Sequence, residues 1–151
     1  MGDLTPEAIT QGLHTRFVGQ QILYYPTVIS TNDLAKELAK QGASSGTTVI
    51  AEEQTAGRGR MARTWYAPAR SSLLLSVLLR PCFGPDRLPQ LLMASALATA
   101  AAIEGHTGLP VGLKWPNDVI LRGKKAGGLL IEAGLSGETL DYAVIGIGLN
   151  L

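Results

Sequence analysis

The chain has 151 residues, a formal net charge of +1, 46% hydrophobic residues and 18 glycines. This length favours one domain, and the composition excludes an intrinsically disordered chain. It is typical of a globular protein that mixes helices, strands and tight turns. The near-neutral charge gives no support to bulk nucleic-acid binding.

Three features of the sequence bear on its compartment. Cys82 has no second cysteine with which to pair, which favours a reducing environment. Asp3 and Glu7 lie near the N-terminus, where a secretory signal would have basic residues before an apolar stretch. The longest apolar run, residues 91–103, is short for a membrane span and favours a core helix. We therefore expect a soluble, cytoplasmic protein without a membrane partner.

Two short elements are predicted at the N-terminal end. Residues 6–13 form a helix, with Thr5 as its N-cap and Pro6 at its first position. Residues 21–25 form a strand that ends at Pro26, because proline lacks the amide hydrogen that a sheet uses.

A polar stretch precedes a helical spacing of leucine and alanine that ends near Gly42. Ser30, Thr31 and Asp33 are placed to satisfy the free amides at the start of that helix. A second interpretation is functional, because Ser30, Thr31 and Asn32 present donors and acceptors to a small polar ligand. The residues alone leave both interpretations open.

A loop rich in glycine and arginine, residues 57–60, follows a predicted buried strand over residues 47–51. Its glycines let a ligand approach the main chain, and its arginines carry donors suited to phosphate or carboxylate oxygens. Between residues 54 and 85 the chain has five arginines and no acid: Arg58, Arg60, Arg63, Arg70 and Arg80. This local charge predicts a site for an anionic ligand. A solvated surface loop is the alternative.

The middle of the chain is predicted to be structural. Residues 71–79 form an apolar strand that ends before Pro81 and Pro85. Asp86 then caps an alanine-rich helix that extends to about residue 105. Its many small residues let it lie close to a sheet, and we assign it no chemistry.

The C-terminal part is predicted to form strands at residues 111–114, 119–121, 125–132 and 140–151, with a hairpin turn at residues 122–124. Pro116 keeps Trp115 out of helical geometry, so Asn117 and Asp118 lie at a bend. Gly146 and Gly148 lie on one face of the last strand, which predicts a group packed directly against its backbone.

Four segments, taken together and in this order, resemble the catalytic domain of biotin protein ligases, also called biotin–acetyl-CoA-carboxylase ligases. They are Ser30-Thr31-Asn32, residues 54–60 with Trp65, residues 114–118 with residues 125–128, and residues 146–150. The resemblance extends from about residue 22 to residue 151.

The resemblance implies an α+β fold in which helices pack on a mixed, largely antiparallel sheet, as in class II aminoacyl-tRNA synthetases and lipoate ligases. It also implies a two-step reaction. Biotin and ATP, with Mg²⁺, give biotinyl-5′-AMP and pyrophosphate. The biotinyl group then passes to a lysine of a biotin carboxyl carrier protein. A homodimer is compatible with this resemblance.

The resemblance further assigns roles by position. The biotin site comprises Ser30, Thr31, Asn32, Gln54, Gly57, Arg58, Gly59, Arg60, Lys125, Gly128, Gly146 and Gly148. The ATP and adenylate site comprises Arg58, Arg60, Trp65, Asn117, Asp118, Lys125 and Asn150. Lys125 and Arg60 are the expected catalytic residues, and Asp118 is the expected Mg²⁺ ligand.

Family members continue beyond the last strand and, when bifunctional, carry an N-terminal DNA-binding domain. We therefore expect residues 1–151 to be one catalytic domain, incomplete at its C-terminus and without a DNA partner. Ala62 stands where the family loop commonly has glycine, and alanine resists a positive φ.

Three hypotheses compete with a biotin ligase. The second is a non-catalytic binder of biotin or biotinyl-AMP. The third is a lipoate ligase, although Ser30-Thr31-Asn32 and the arginine loop favour biotin, because lipoate has no ureido head to satisfy. A nucleic-acid binder is a more distant fourth. Trp65 and Trp115 also suit a plain core, and Lys125 beside Lys124 suits a solvated turn.

Overall fold

A seven-stranded sheet in the order β1-β2-β3-β7-β6-β5-β4 organises the protein, and the computed structural model describes residues 5–150 of it. In chain order the elements are α1 (Pro6–Thr10), β1 (Ile22–Val28), α2 (Thr31–Lys40), β2 (Thr48–Gln54), β3 (Ser72–Leu79), α3 (Leu88–Thr107), β4 (Val111–Lys114), β5 (Asp118–Leu121), β6 (Lys124–Ser136) and β7 (Thr139–Asn150). Asp3 and Leu151, which entered the predictions above, lie outside the described residues.

The sheet is mixed and largely antiparallel, as expected. Strand β1 runs parallel to β2, and each of the other neighbouring pairs is antiparallel. The hairpin between β5 and β6 turns at Arg122 and Gly123, which have φ values of 49° and 74°. Two successive positive φ values match the right-handed twist of the strands that the turn joins. The prediction of an α+β fold is confirmed.

Helices α2 and α3 cover opposite faces of the sheet. Val144 of β7 packs in one cluster with Ala35 and Ala39 of α2. Its neighbour Ile145 packs in a second cluster with Leu92 of α3. Because successive side chains of a strand point to opposite faces, the two clusters form two separate layers of core.

The core assignment of the alanine-rich helix is correct for one face only. Leu92 and Ala96 are buried against the sheet, whereas Met93 and Leu97 are exposed. By length and composition alone, the segment Pro85–Thr107 is also apolar enough to cross a membrane. Core helices of soluble proteins meet the same criterion, so this observation alone is weak evidence for a membrane span.

Two predicted ends of elements are wrong. Strand β1 does not stop at Pro26 but continues to Val28, with Tyr25 opposite Ala51 and Thr27 opposite Glu53. β1 is an edge strand, and a proline there need not remove a ladder hydrogen bond. The first helix keeps its predicted Thr5 cap but ends at Thr10 rather than residue 13.

The predicted side-chain cap of the alanine-rich helix is also wrong. Asp86 lies inside a 3₁₀ turn, Pro85–Arg87, and α3 begins after it without a side-chain cap. The end of α3 is a left-handed Gly108 whose amide bonds to the Glu104 carbonyl. This glycine ends the helix slightly later than predicted.

Candidate active site

A cavity of about 380 Å³ opens on the face of the sheet that carries α2. Its wall comes from the start of α2, the loop after β2, the turn between β4 and β5, the first half of β6 and the second half of β7. Most of the predicted site residues therefore share one cavity, although they come from distant parts of the chain. Of the predicted set, Gly57 and Asn150 do not line it.

Two glycines of β7 form the base of the cavity. A Cβ atom on Gly146 would lie 2.3 Å from Asn32 Oδ1, and one on Gly148 would lie 2.8 Å from Trp65 Cε2. A side chain at either position would overlap these neighbours. The prediction that other groups pack directly against this strand is confirmed.

A buried hydrogen-bond network joins α2 to the loop and to β3. Gln54 Oε1 accepts from the Thr31 amide at 2.8 Å and from Thr31 Oγ1 at 3.0 Å. The Ser76 hydroxyl lies 2.8 Å from Thr31 Oγ1 and 2.6 Å from Asn32 Oδ1. Each of Thr31, Asn32 and Ser76 is at most 4% exposed. We call Thr31, Asn32, Gln54 and Ser76 the polar floor.

The polar floor corrects the capping interpretation of residues 30–33. Ser30 occupies the N-cap position of α2 but makes no side-chain cap bond. The first amide of the helix is instead capped from outside by Gln54. The side chains of Thr31 and Asp33 are committed to other partners. Ser30 lines the cavity, and its hydroxyl is not used by the helix.

Ser76 is a site-supporting residue that the sequence analysis missed. It is fully buried on β3 and is the one polar residue within residues 73–79. A polar side chain inside an apolar strand requires a buried partner, so this position was a usable signal. The sequence does not identify the partners, because Thr31 and Asn32 lie more than forty positions away from Ser76.

Four charged side chains form a closed ring of alternating sign beside the polar floor. Arg58 donates to both oxygens of Asp33, at 2.6 Å and 2.7 Å, and to Glu132 at 3.3 Å. Lys36 completes the ring, 3.0 Å from Asp33 and 2.7 Å from Glu132. We call Asp33, Lys36, Arg58 and Glu132 the charge ring. The guanidinium of Arg58, expected to face a ligand, is thus occupied by two acids of the chain.

The charge ring shifts the titration of its members. The hydrogen bond from Arg58 lowers the pKa of Asp33 from 3.8 to about 2, against an opposing effect of burial. Burial raises the pKa of Glu132, but the hydrogen bonds from Lys36 and Asn32 outweigh it and the net shift is downward. The pKa of Lys36 rises, because its bonds to Glu132 and Asp33 exceed the cost of burial. All four groups are therefore charged at neutral pH.

The loop after β2 folds back on itself at the mouth of the cavity. Gly59 N donates to the Arg63 carbonyl at 2.7 Å, and Trp65 N donates to the Gly57 carbonyl at 2.9 Å. Between them, Met61 and Ala62 have φ values of 56° and 57°. Ala62 thus adopts the left-handed conformation that we expected alanine to resist, and Met61 shares it.

The two tryptophans have different environments, and neither belongs to the helix–sheet core. Trp65 packs against Gly148, and the Lys125 ammonium lies 5.6 Å from its ring centroid. Its buried Nε1 makes no hydrogen bond to any described residue. Trp115 also lines the cavity, as does Met61, but it is 79% exposed. The interpretation of Trp115 as a core residue is wrong.

Lys125 lies on the same cavity as the loop that carries Arg60. Its ammonium is 2.7 Å from Asp118 Oδ1, and its side chain is about half exposed. Asp118 is the only acid that lines this cavity among residues 5–150. Arg60, Arg63 and Lys114 line it as well, and the last two were not in the predicted site. The cavity therefore combines a polar floor with a cationic mouth.

Two residues that were predicted to bind the nucleotide, Asn117 and Asn150, make hydrogen bonds within the sheet. Asn117 Nδ2 donates to the Leu129 carbonyl at 2.9 Å, while Asn117 still lines the cavity. Asn150 accepts from Ser72 Oγ at 3.1 Å at the end of the β3–β7 pair. The structure therefore does not bring Asn150 to the cavity.

The sequence and the fold both match known proteins. The model of the biotin/lipoate A/B protein ligase family matches residues 24–150. The bifunctional ligase/repressor BirA of Bacillus spizizenii is 39% identical over 150 residues, which cover 99% of this chain and 46% of the relative. The biotin–[acetyl-CoA-carboxylase] ligase of Paracoccus denitrificans is 41% identical over 124 residues, covering 81% of this chain and 51% of the relative.

Among solved structures, the biotin protein ligase from Aquifex aeolicus in complex with biotin and ATP matches with a TM-score of 0.71 and 37% identity. The match covers 87% of this chain and 53% of that structure. The chain therefore belongs to the biotin/lipoate A/B protein ligase family. It spans about half the length of the curated relatives it matches.

Proposed function

We propose that the protein activates biotin with ATP as biotinyl-5′-AMP and transfers the biotinyl group to a lysine of a biotin carboxyl carrier protein. The observation that carries this proposal is the cavity, which joins a polar floor to a cationic mouth within one enclosure. The names of the relatives support biotin rather than lipoate as the acid, since the relatives reported above are named for biotin ligation or as BirA.

The cavity suits a ligand with a small polar head and an acidic tail. A cavity of about 380 Å³ is of ordinary size for a small-molecule site. At its floor, hydroxyl and amide side chains line the cavity, from Ser30, Thr31, Asn32 and Gln54. A ureido head has two donors and one acceptor and needs both kinds of partner. The lipoate ring has no such group to satisfy.

The first step would take place at the cationic mouth. A carboxylate oxygen of biotin attacks the α-phosphorus of ATP, the bond from that phosphorus to the bridging oxygen breaks, and pyrophosphate leaves. Lys125 and Arg60 both line the cavity. In the proposed step, Lys125 would hold the carboxylate near the phosphate, and Arg60 would add positive charge where negative charge accumulates. The salt bridge to Asp118 fixes the position of the Lys125 ammonium before substrate arrives.

The second step would transfer the acyl group. The neutral amine of the acceptor lysine attacks the acyl carbon, the bond to the phosphate oxygen breaks, and AMP leaves while the amine loses a proton. The exposed side chains of Met61 and Trp115 border the mouth through which a protein side chain would enter. Cover from the loop at residues 57–65 would keep water from the mixed anhydride.

The residues present fit a Mg²⁺ ion that the triphosphate itself largely holds. Within residues 5–150 no group of three or more His, Cys, Asp or Glu residues could form a metal site of its own. Asp118 supplies one carboxylate, and magnesium commonly binds through one or two carboxylates together with substrate phosphates. The ion would neutralise phosphate charge, and Asp118 would be its protein ligand.

An assay with the protein, biotin, ATP and Mg²⁺ tests this proposal. We expect biotinyl-AMP by mass spectrometry, followed by a mass increase on a carrier domain added afterwards. Lipoate in place of biotin should give no adenylate. Biotin binding by calorimetry without adenylate at any enzyme concentration would instead identify a non-catalytic binder, and no binding of biotin would refute the proposed function.

A further inference from the structure

The charge ring connects α2, the loop after β2 and β6. These three parts of the site must be aligned for it to recognise a ligand. Asp33 and Lys36 lie on α2, Arg58 lies at the base of the loop, and Glu132 lies on β6. The three elements are far apart in sequence, and the ring joins them on the cavity face of the sheet. A closed ring of alternating charge holds each member through two neighbours.

We propose that Arg58 is a positioning residue, and that Asp33, Lys36 and Glu132 use it to fix the base of the loop against the polar floor. This inference rests on the proposed function, because it assigns the means by which the same site is aligned for biotin. The resemblance predicted that Arg58 faces the ligand. The structure instead gives its guanidinium a bidentate bond to Asp33 and a further bond to Glu132.

The geometry of the Arg58–Asp33 pair supports a positioning role. Two parallel bonds of 2.6 Å and 2.7 Å match the planar fork of a guanidinium to both oxygens of one carboxylate. Such a pair restricts the orientation of the guanidinium as well as its distance. A ligand carboxylate would have to displace Asp33 to gain the same contact.

The charge balance of the ring leads to the same conclusion. Two acids and two cations sum to zero, so the ring adds no net attraction for an anion. The positive charge available to a ligand comes from the other cations that line the cavity, which are Arg60, Arg63, Lys114 and Lys125.

Glu132 links the ring to the polar floor. Its Oε2 accepts from Asn32 Nδ2 at 2.7 Å, while its Oε1 accepts from Lys36 at 2.7 Å. With Nδ2 held by Glu132, Asn32 Oδ1 faces the Ser76 hydroxyl. One carboxylate therefore orients the Asn32 amide and also contacts the Arg58 guanidinium that Asp33 holds.

A double-mutant cycle separates positioning from direct contact. The variants are Asp33→Asn, Arg58→Gln and the pair, and the measurement is the Kd for biotin by calorimetry without ATP. We expect each single variant to weaken biotin binding roughly tenfold. The double variant should bind biotin no more weakly than the weaker-binding of the two single variants, because both substitutions remove the same interaction. Undiminished binding in Asp33→Asn, with binding lost in Arg58→Gln, would overturn the inference and place Arg58 on the ligand.

A kinetic readout excludes a merely structural effect. In Asp33→Asn and Glu132→Gln we expect the KM for biotin to rise roughly tenfold while the KM for ATP stays within about twofold. Glu37→Gln is the matched control, because Glu37 pairs with Lys40 at 2.7 Å on the exposed side of the same helix. Equal effects of all three variants, or parallel rises in both KM values, would refute the specific role of the ring.

Hydrogen exchange on the ligand-free protein tests the ring independently of biotin. The amides of Gly59 and Trp65, both bonded within the loop, should exchange faster in Asp33→Asn and Glu132→Gln than in wild type or Glu37→Gln. Unchanged exchange in the ring variants would refute the positioning role. Faster exchange in a protein that binds no biotin would refute the proposed function alone.

Discussion

The polar floor and the mouth of the same cavity are built in contrasting ways. Thr31, Asn32 and Ser76 are buried, and hydrogen bonds connect each of them to the others or to Gln54. At the mouth, Met61 is 84% exposed and lies in a left-handed conformation. Segments with few buried contacts open at the lowest free-energy cost. Selectivity for the ligand should therefore depend on the floor, and coverage of the ligand on the mouth.

The charge ring lies between these two regions. It holds the base of the loop through Arg58 and the floor through the bond from Asn32 to Glu132. If floor and mouth have separate roles, changes in each should affect different measurements. Changes in the ring should affect the alignment of one region with the other.

The largest expected effect is at the cationic mouth. Lys125→Ala should reduce the rate of adenylate formation roughly 100- to 1000-fold, because a preorganised charge at the reacting centre is lost. The affinity for biotin should fall much less than this rate, since the polar floor is intact and only the contact of Lys125 with the biotin carboxylate is lost. Rapid-quench measurement of biotinyl-AMP checks the rate, and circular dichroism checks the fold.

Lys124→Ala is the matched control for that experiment, because Lys124 is exposed at the adjacent position of β6 and does not line the cavity. Its adenylation rate should equal that of wild type. If the two alanine variants were equally impaired, the effect would come from the strand and not from the Lys125 ammonium.

A substitution at the floor should weaken recognition of biotin while sparing the mouth. Gly146→Ala places a methyl group 2.3 Å from Asn32 Oδ1, so the Asn32 side chain must move. We expect a loss of about 1–3 kcal/mol in the free energy of unfolding, together with weaker biotin binding. Urea unfolding and calorimetry measure the two quantities.

Gly112→Ala on β4 controls for the change of glycine to alanine in a strand, because its nearest neighbour would lie 3.6 Å away. We expect its stability to stay within about 0.5 kcal/mol of wild type and its biotin affinity to be unchanged. Equal losses in both glycine variants would argue against the close approach of Asn32.

Removing the Ser76 hydroxyl from the polar floor should have an effect of similar size on stability. Ser76→Ala leaves Asn32 Oδ1 without its 2.6 Å partner, and an unsatisfied buried acceptor costs about 1–3 kcal/mol. Urea unfolding should show this loss. The Ser95 hydroxyl bonds to the Leu91 carbonyl of its own helix and to no other group of residues 5–150, so Ser95→Ala should be close to neutral. The reverse ranking would contradict the role of Ser76.

At the mouth, one substitution should stabilise the protein. Ala62 has a φ of 57°, where an L-residue is strained by roughly 1–2 kcal/mol. Glycine relieves this strain but increases the freedom of the unfolded chain, so we expect Ala62→Gly to gain about 0.5–1 kcal/mol. Ala69→Gly, at a position without a positive φ, should gain nothing in urea unfolding. A loss in Ala62→Gly would mean that the left-handed conformation is not present in solution.

The last prediction concerns the pH dependence of stability that the charge ring produces. The pKa of Asp33 is about 2 in the folded protein and 3.8 as an ordinary value, so the unfolded chain binds more protons between these values. The stability that Asp33 contributes is therefore complete above about pH 4 and is lost as the pH falls toward 2. Comparison of wild type with Asp33→Asn by acid unfolding should show a shallower dependence in the variant. Identical profiles would indicate that Arg58 does not hold Asp33.

Local signals account for most of the elements predicted correctly. The Thr5 cap, the helical spacing of residues 34–39 and the turn at Arg122 and Gly123 are each encoded within a few neighbouring residues. The wrong prediction for the end of β1 shows where a local rule depends on tertiary context. Pro26 did not end β1, because only one side of that strand is paired.

By itself, the sequence determined the strands and main helices, the family and most of the residues that meet at the cavity. Such information is local, or is carried by motifs with characteristic order and spacing. Only the tertiary structure decided that Gln54 caps α2, that Ser76 supports Asn32, and that Arg58 binds Asp33 and Glu132. The physical reason is that a side chain's hydrogen bonds depend on which groups the folded sheet brings within about 3 Å, and the chain order around residues 32, 58, 76 and 132 does not specify those distances.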